Sequence, residues 1–217
     1  GKLTMVAAEV CRHLLSAAQE SPMGRKIADI PGCPDSSLDL ADFLRFFNDN
    51  SPLLPITVSL DADTELPKAD VVATATSSVS DLVKPENVKF GAIVCDLSRP
   101  ANVSREIKGR RPDVLVIDGG VVEVWNRPDL GWNFGFEQGL CYACMAETML
   151  LALEGHLEHT SIGSSIDMHT LGLLQSLADK HGFRLADLRS FDKPLCEKDW
   201  QRVMASRTVS SAIPSGN

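Results

Sequence analysis

The stretch Asp70-Val71-Val72-Ala73-Thr74-Ala75-Thr76 decides the fold, because it is a short run of apolar and β-branched residues between turn signals. Two later runs at residues 91–96 and 113–118 repeat the pattern, and each ends in an aspartate. All three runs are apolar on both faces, which is typical of strands in a parallel sheet that helices cover on each side. The sequence therefore predicts an α/β fold with a mostly parallel sheet flanked by helices.

Helical patterns surround these strands. Apolar residues recur every three to four positions at residues 3–18, 38–50, 139–154 and 168–181. Weaker patterns predict strands at residues 54–60 and 183–188, a crossover at 102–108 and a hairpin arm of the sheet at 121–124. Proline and glycine predict a loop at residues 20–37, and the serine-rich tail after Arg207 is expected to fray.

Composition limits the class of protein. A chain of 217 residues can form one α/β domain with its own core. The net charge of -8 disfavours a surface for nucleic acid or an anionic membrane, since both require clustered cations. No segment reaches the roughly 18 continuous apolar residues of a membrane span, and six cysteines in apolar contexts fit a reducing compartment. We expect a soluble, cytoplasmic protein.

Candidate binding residues follow each strand, where ligands of open α/β sheets bind. The residues at these positions are small, hydroxyl-bearing or glycine, and one is cationic: Thr74, Ala75, Thr76, Ser77, Ser78, Arg99, Gly119 and Gly120. Such residues allow a flat ring or a phosphate to approach the backbone, and Arg99 is able to hold an anion. Tight turns between strands and helices are the alternative interpretation.

Cys141 and Cys144 form a Cys-x-x-Cys motif near His156 and His159. We reject a zinc site, because the intervening residues read as one apolar helix and the histidine spacing is one residue short of the usual range. A single thiolate nucleophile fits better, and the helix dipole favours Cys141 in the first turn of the predicted helix. Core packing of both cysteines is the alternative.

As an ordered set, four motifs resemble the long-chain acyl-ACP reductases of cyanobacterial type over about residues 69–190. The motifs are Ala69–Ser78, Cys95-Asp-Leu-Ser-Arg-Pro100, Ile117-Asp-Gly-Gly-Val-Val-Glu123 and Cys141-Tyr-Ala-Cys-Met-Ala-Glu147. The first two also resemble the Rossmann domains of shikimate dehydrogenases and glutamyl-tRNA reductases. The resemblance implies that Cys144, rather than Cys141, is the catalytic nucleophile. It also implies that residues 74–77 lie beside the nicotinamide of NADPH, with NADH as the alternative donor.

The resemblance shapes the expected domain organisation. We expect one Rossmann-like domain over residues 1–217, with a divergent part at 1–68, a reductase-like core at 69–190, and a C-terminal helix and tail at 191–217. The chain has no Gly-x-Gly-x-x-Gly after a strand, so we expect a Rossmann-like fold truncated at its N-terminus.

The expected function is an enzyme of fatty acid metabolism, a reductase of an acyl thioester that works through a Cys144 acyl-enzyme. The substrate partner is then an acyl group on a carrier protein or coenzyme A, and a homodimer is the assembly considered. One alternative is an oxidoreductase similar to shikimate dehydrogenase, without a covalent intermediate. The other is a non-catalytic, degenerate Rossmann module that binds a partner or dimerises through the loop at residues 125–136.

Overall fold

A computed structural model describes residues 2–37, 39–132, 135–158, 160 and 168–210, so that the serine-rich end at 211–217 lies outside the described residues. The chain divides into two compact units, Gly1–Ala62 and Asp63–Asn217. The helices are α1 (Lys2–Ser16), α2 (Pro22–Ala28), α3 (Leu40–Asp49), α4 (Ala62–Glu65), α5 (Ile107–Arg110), α6 (Ala143–Leu153), α7 (Met168–His181) and α8 (Glu197–Ser210). The strands are β1 (Val71–Thr74), β2 (Ile93–Asp96), β3 (Leu115–Asp118), β4 (Val121–Glu123), β5 (Leu140–Tyr142), β6 (Arg184–Leu185), β7 (Arg189–Ser190) and β8 (Lys193–Pro194).

The unit Gly1–Ala62 is helical, with a core that includes Cys11, Ile27 and Phe43. Its helix α2 lies in the segment that the sequence predicted as a loop. The Ser21 hydroxyl caps α2 by accepting the Gly24 N–H at 3.1 Å. A Cβ atom at Gly24 would lie 2.1 Å from the Leu14 carbonyl oxygen, so only glycine permits this approach of α1 and α2. The segment at residues 20–37 therefore contains helix-breaking prolines and glycines as well as a short helix.

The strand predicted at residues 54–60 is wrong, because this segment follows a 3-10 turn (Ser51–Leu53) and pairs with no described strand. β-branched residues favour an extended backbone, but a strand also requires a neighbour to complete its hydrogen bonds.

The unit Asp63–Asn217 contains the expected parallel sheet, which confirms the α/β fold class. Its order is β1-β2-β3, with Val72 opposite Val94 and Val94 opposite Val116. These three valines are buried, together with Val83 and Ile107, in a core that helps to cover the sheet. The predicted centres of the strands are correct. Strand β1 is shorter by one residue at its start and by two at its end, whereas β2 and β3 begin two residues later than predicted and end at the predicted aspartates.

A second sheet lies in the same unit and differs from the prediction. Strand β4, expected as an arm of the parallel sheet, instead forms the centre of an antiparallel sheet of order β5-β4-β6. Its β5 replaces the first turn of the helix predicted to begin at residue 139, so α6 begins only at Ala143. The helix predicted at 168–181 matches α7, and the predicted strand at 183–188 is reduced to β6.

Asp113 lies at the amino end of the parallel sheet and stabilises it through hydrogen bonds. Its carboxylate accepts the Gly91 N–H at 3.0 Å and an N–H of Arg111 at 2.7 Å. Arg111 also donates to the carbonyl oxygens of Pro85 and Val88. Burial by itself raises the pKa of Asp113, but hydrogen bonds from Arg111 and Gly91 outweigh it and lower the pKa.

In the described parts of the chain, no helix combines the length and the apolar character that crossing a membrane requires.

Candidate functional site

Asp96 organises the carboxyl end of the parallel sheet. It ends β2, is 2% exposed, and accepts the Thr74 hydroxyl at 2.6 Å and the Ser98 N–H at 2.9 Å through Oδ1. Its Oδ2 accepts the N–H groups of Asn102 at 2.8 Å and Val103 at 3.3 Å. One buried carboxylate thus joins the end of β1 to the turn that follows β2.

The loop after β1 contains the other predicted residues of this strand. The Thr76 hydroxyl donates to the side-chain oxygen of Asn102 at 2.5 Å, and the Thr76 N–H donates to the Ser98 hydroxyl at 3.0 Å. Ala75 and Ser77 are exposed on the same loop. Thr74 and Thr76 therefore serve the framework of the edge, whereas Ala75 and Ser77 face solvent.

Gly119 and Gly120 follow β3 at the same edge. The Gly119 N–H donates to the Asp96 carbonyl oxygen at 2.9 Å, and a Cβ atom at Gly119 would lie 2.9 Å from Cγ of Leu97. Gly120 has a φ of 69° and accepts the Ala143 N–H at 2.8 Å. The structure thus brings the predicted glycines to the predicted threonines and attaches the start of α6 beside them.

The two cysteines of the Cys-x-x-Cys motif have different surroundings. Cys141 is fully buried in β5, where burial first and the neighbouring Cys144 second raise the pKa of its thiol. Cys144 is exposed in the first turn of α6. The dipole argument for Cys141 is wrong because the helix begins after it; Cys144 takes that place, and its role as a nucleophile stays a prediction.

Arg99 lies at the centre of the edge. Its Nη1 donates to the Ser98 carbonyl oxygen at 2.7 Å, and its Nη2 donates to the Gly119 carbonyl oxygen at 3.2 Å. The guanidinium lies 5.1 Å from the ring centroid of Tyr142. Among the described residues, no carboxylate forms an ion pair with Arg99 and none accepts a hydrogen bond from its Nε. The carbonyl oxygens and the tyrosine ring therefore hold the Arg99 guanidinium in place without neutralising its charge.

A cavity of about 210 Å³ opens beside Arg99, and its wall contains Tyr142, a second arginine and three carboxylates: Arg105, Asp96, Asp118 and Asp192. Asp192 is held by its N–H, which donates to Asp118 at 2.6 Å, and by an ion pair of its carboxylate with Arg105 at 2.5 Å. Arg105 is thus compensated from within the protein. Arg99 forms no ion pair with a described carboxylate, although Asp96 and Asp118 also line this wall.

A stack of rings and guanidinium groups, which we call the Arg99 stack, supports this cation. Tyr142 contacts Phe136 edge-on, with ring centroids 5.0 Å apart, and Arg189 lies 5.3 Å from the Phe136 centroid. Arg189 is 4% exposed and pairs with Glu137 at 2.6 Å. The sequence did not identify Tyr142, Phe136 or Arg189 as site residues, because their spacing shows no pattern. Tyr142 does lie inside the Cys-x-x-Cys motif, and this position was the signal that could have pointed to it.

No family model matches the sequence, and its similarity to known proteins rests on a curated relative. A curated relative, the aminotransferase PigE of Serratia sp. (strain ATCC 39006), is 31% identical over 152 residues, which is 69% of this chain and 17% of the relative. The chain therefore spans less than a fifth of the length of this relative.

The expected function is wrong in its reaction class. The relative is named for the transfer of amino groups, which overturns the predicted oxidoreductase of fatty acid metabolism that reduces an acyl thioester. The expected hydride donor, NADPH or NADH, is overturned for the same reason. With it falls the expectation that residues 74–77, Gly119 and Gly120 bind this cofactor. The comparisons do not bear on the resemblance to acyl-ACP reductases, which stays a prediction, as does the division of residues 1–217 into one domain.

Proposed function

We propose that this chain is the ligand-binding α/β part of a longer protein that transfers amino groups, and that Arg99 holds the carboxylate of a small organic acid. The name of the relative and the 31% identity support the reaction class. Amino transfer interconverts amines and carbonyl compounds, and amino acids and 2-oxo acids are its common substrates. Both of these carry a carboxylate.

Pyridoxal phosphate is the cofactor that this reaction class implies. It is bound through a Schiff base to a lysine, with an acidic or arginine partner for the ring nitrogen. None of the lysines whose side chains are described is buried, and the half-buried Lys89 is paired with Asp70 at 2.6 Å. The wall of the cavity beside Arg99 contains no described lysine. The described residues do not fit this cofactor, and we assign to them the binding of a substrate acid.

The observation that carries the proposal is the uncompensated guanidinium of Arg99. A guanidinium binds both oxygens of a carboxylate through two parallel N–H groups, and the Nε of Arg99 has no acceptor in the described structure. The Tyr142 ring and two hydrogen bonds to carbonyl oxygens restrict the guanidinium, so less side-chain entropy is lost when an anion binds. The site thus offers a fixed charge at the edge where ligands of α/β sheets bind.

The test is calorimetric titration of the chain with 2-oxoglutarate, with L-glutamate, and with methylamine as a probe that lacks a carboxylate. We expect the two acids to bind and methylamine not to bind. Arg99→Gln should weaken binding of the acids by about tenfold, because a hydrogen bond to a charged group contributes roughly 1.5–3 kcal/mol.

The matched control is Arg45→Gln, which removes an exposed arginine of the unit Gly1–Ala62. It should bind the acids as the unaltered chain does. Equal weakening in both variants, or no binding of either acid to the unaltered chain, would contradict the proposal. The expected homodimer, an acyl carrier as partner, and the cytoplasmic location stay predictions.

A further inference from the structure

A second cavity lies at the edge of β3 and shares Val116 and Phe191 with the wall of the Arg99 site. It measures about 130 Å³ and is enclosed by the start of β3, by the hairpin β7–β8 and by α8. Its polar wall consists mainly of cationic side chains: Lys108, Arg111, Lys193 and Arg202, with Asp199 as the carboxylate. We propose that this cavity, which we call the hairpin cavity, binds the phosphate group of a small phosphorylated molecule.

The charges of the hairpin cavity do not cancel. Arg111 is committed to Asp113 and to backbone carbonyl oxygens, so it forms part of the wall. Asp199 accepts the Cys196 N–H at 3.1 Å and lies 3.4 Å from Arg202. No carboxylate in the described residues forms an ion pair with Lys108 or Lys193. Hydrogen bonds from Cys196 and then the charges of Arg202 and Lys108 lower the pKa of Asp199, so these two cations share one carboxylate. With Arg111 paired to Asp113, the wall keeps an excess of two positive charges in a chain whose net charge is -8.

The hairpin presents these cations in a fixed arrangement. Ser190 pairs with Lys193 across a two-residue turn, in which Phe191 and Asp192 have φ values of 52° and 67°. Bulky residues rarely adopt this left-handed conformation, and such backbone persists where its surroundings hold it. The Asp192 N–H is held by Asp118, and the Phe191 ring lies 5.8 Å from the Lys108 ammonium. The turn thus places Lys193 in the wall of the cavity and the Phe191 ring beside Lys108.

The chemistry of the wall favours a phosphate over other anions. A phosphate monoester carries close to two negative charges near neutral pH and three acceptor oxygens. The excess of two positive charges in the wall matches that charge, whereas one monocarboxylate would leave a positive charge unpaired. The buried side chains of Val114 and Val116 form the apolar side of the cavity, where reduced access of water strengthens charge–charge attraction.

The experiment is a titration of the whole chain with inorganic phosphate, followed by calorimetry and by amide chemical shifts in NMR spectra. We expect saturable binding, with shifts concentrated at Ser190, Lys193 and Asp199, which line the hairpin cavity and not the Arg99 site. Lys108→Gln and Lys193→Gln should each weaken binding about tenfold, since each removes one charged donor. Lys108→Arg keeps the charge and should retain most of the affinity.

The matched control is Lys198→Gln, because Lys198 is exposed on α8 and does not line the cavity. It should leave phosphate binding unchanged, and so should Arg99→Gln, which separates this site from the organic-acid site. Circular dichroism of each variant confirms that it is folded. The inference is overturned if no saturable binding occurs, if Lys198→Gln weakens binding as much as Lys108→Gln, or if the shifts appear around Arg99 instead.

Discussion

The two ends of the parallel sheet each contain a buried aspartate and an arginine, but the two pairs are connected differently. At the amino end, Asp113 and Arg111 form an ion pair at 2.7 Å. At the carboxyl end, Asp96 accepts its hydrogen bonds from a hydroxyl and three backbone N–H groups. Arg99 lies nearby and bonds to carbonyl oxygens instead.

This difference separates a structural end of the sheet from a binding end. The ion pair between Asp113 and Arg111 compensates the charge of both groups. This suits a position that only holds β2 and β3 in register. The carboxylate of Asp96 accepts its hydrogen bonds from neutral donors, so Arg99 forms no ion pair with it and can bind an anion from solution. The same two residue types therefore serve stability at one end and recognition at the other.

The largest effect is expected for Asp96→Ala. The substitution leaves the buried donors of Thr74, Ser98 and Asn102 without their acceptor, and each such loss costs about 1–3 kcal/mol. We expect the free energy of unfolding to fall by about 3–4 kcal/mol, measured by urea denaturation.

Asp70→Asn is the control, because it alters an exposed carboxylate paired with Lys89 and should change the stability by less than about 1 kcal/mol. A loss at Asp96 no greater than the loss at Asp70 would show that the carboxyl end is not held by this network.

An intermediate effect is expected when the two arginines are exchanged for glutamine one at a time. Arg111→Gln removes the charged hydrogen bonds to Asp113 and should reduce the free energy of unfolding by about 2 kcal/mol. Arg99→Gln should reduce it by less than about 1 kcal/mol, since the arginine is exposed and forms no ion pair with a described carboxylate. Urea denaturation measures both, and a larger loss for Arg99→Gln would reverse the comparison.

The smallest effect is the dependence of stability on pH. The pKa of Asp113 in the folded chain lies below its ordinary value of 3.8, so the carboxylate stabilises the fold above that value. This contribution is lost as the pH falls through the lowered pKa. The stability difference between the unaltered chain and Asp113→Asn should therefore shrink from neutral pH towards acid, in urea titrations at each pH. A constant difference would mean that the ion pair does not lower the pKa.

The sequence predicted the parallel sheet well, because its strands are buried on both faces and carry a continuous apolar signal. The residues after β1, β2 and β3 were also placed correctly at one edge, since the topology of parallel strands requires it. Arg99 was identified as a candidate for binding an anion from its position after the second strand and from its residue type.

Other features depended on tertiary contacts that a single sequence does not display. The apolar run around Cys141 suited a helix as well as a strand, and only the pairing of Val122 with Cys141 makes it β5. The Arg99 stack joins Arg99 to residues 136, 142 and 189, which are distant in sequence. The wall of the hairpin cavity likewise contains residues of α5, β8 and α8, so no local sequence pattern could predict the cavity.

Tyr142, whose ring lies against Arg99, is the single tyrosine of the 217 residues. Replacing tyrosine with 3-fluorotyrosine during expression would thus place one fluorine label in the whole protein, at the wall of the organic-acid cavity. Its ¹⁹F resonance would report on an acid that reaches Arg99 in an otherwise unaltered chain, and phosphate in the hairpin cavity should shift it much less.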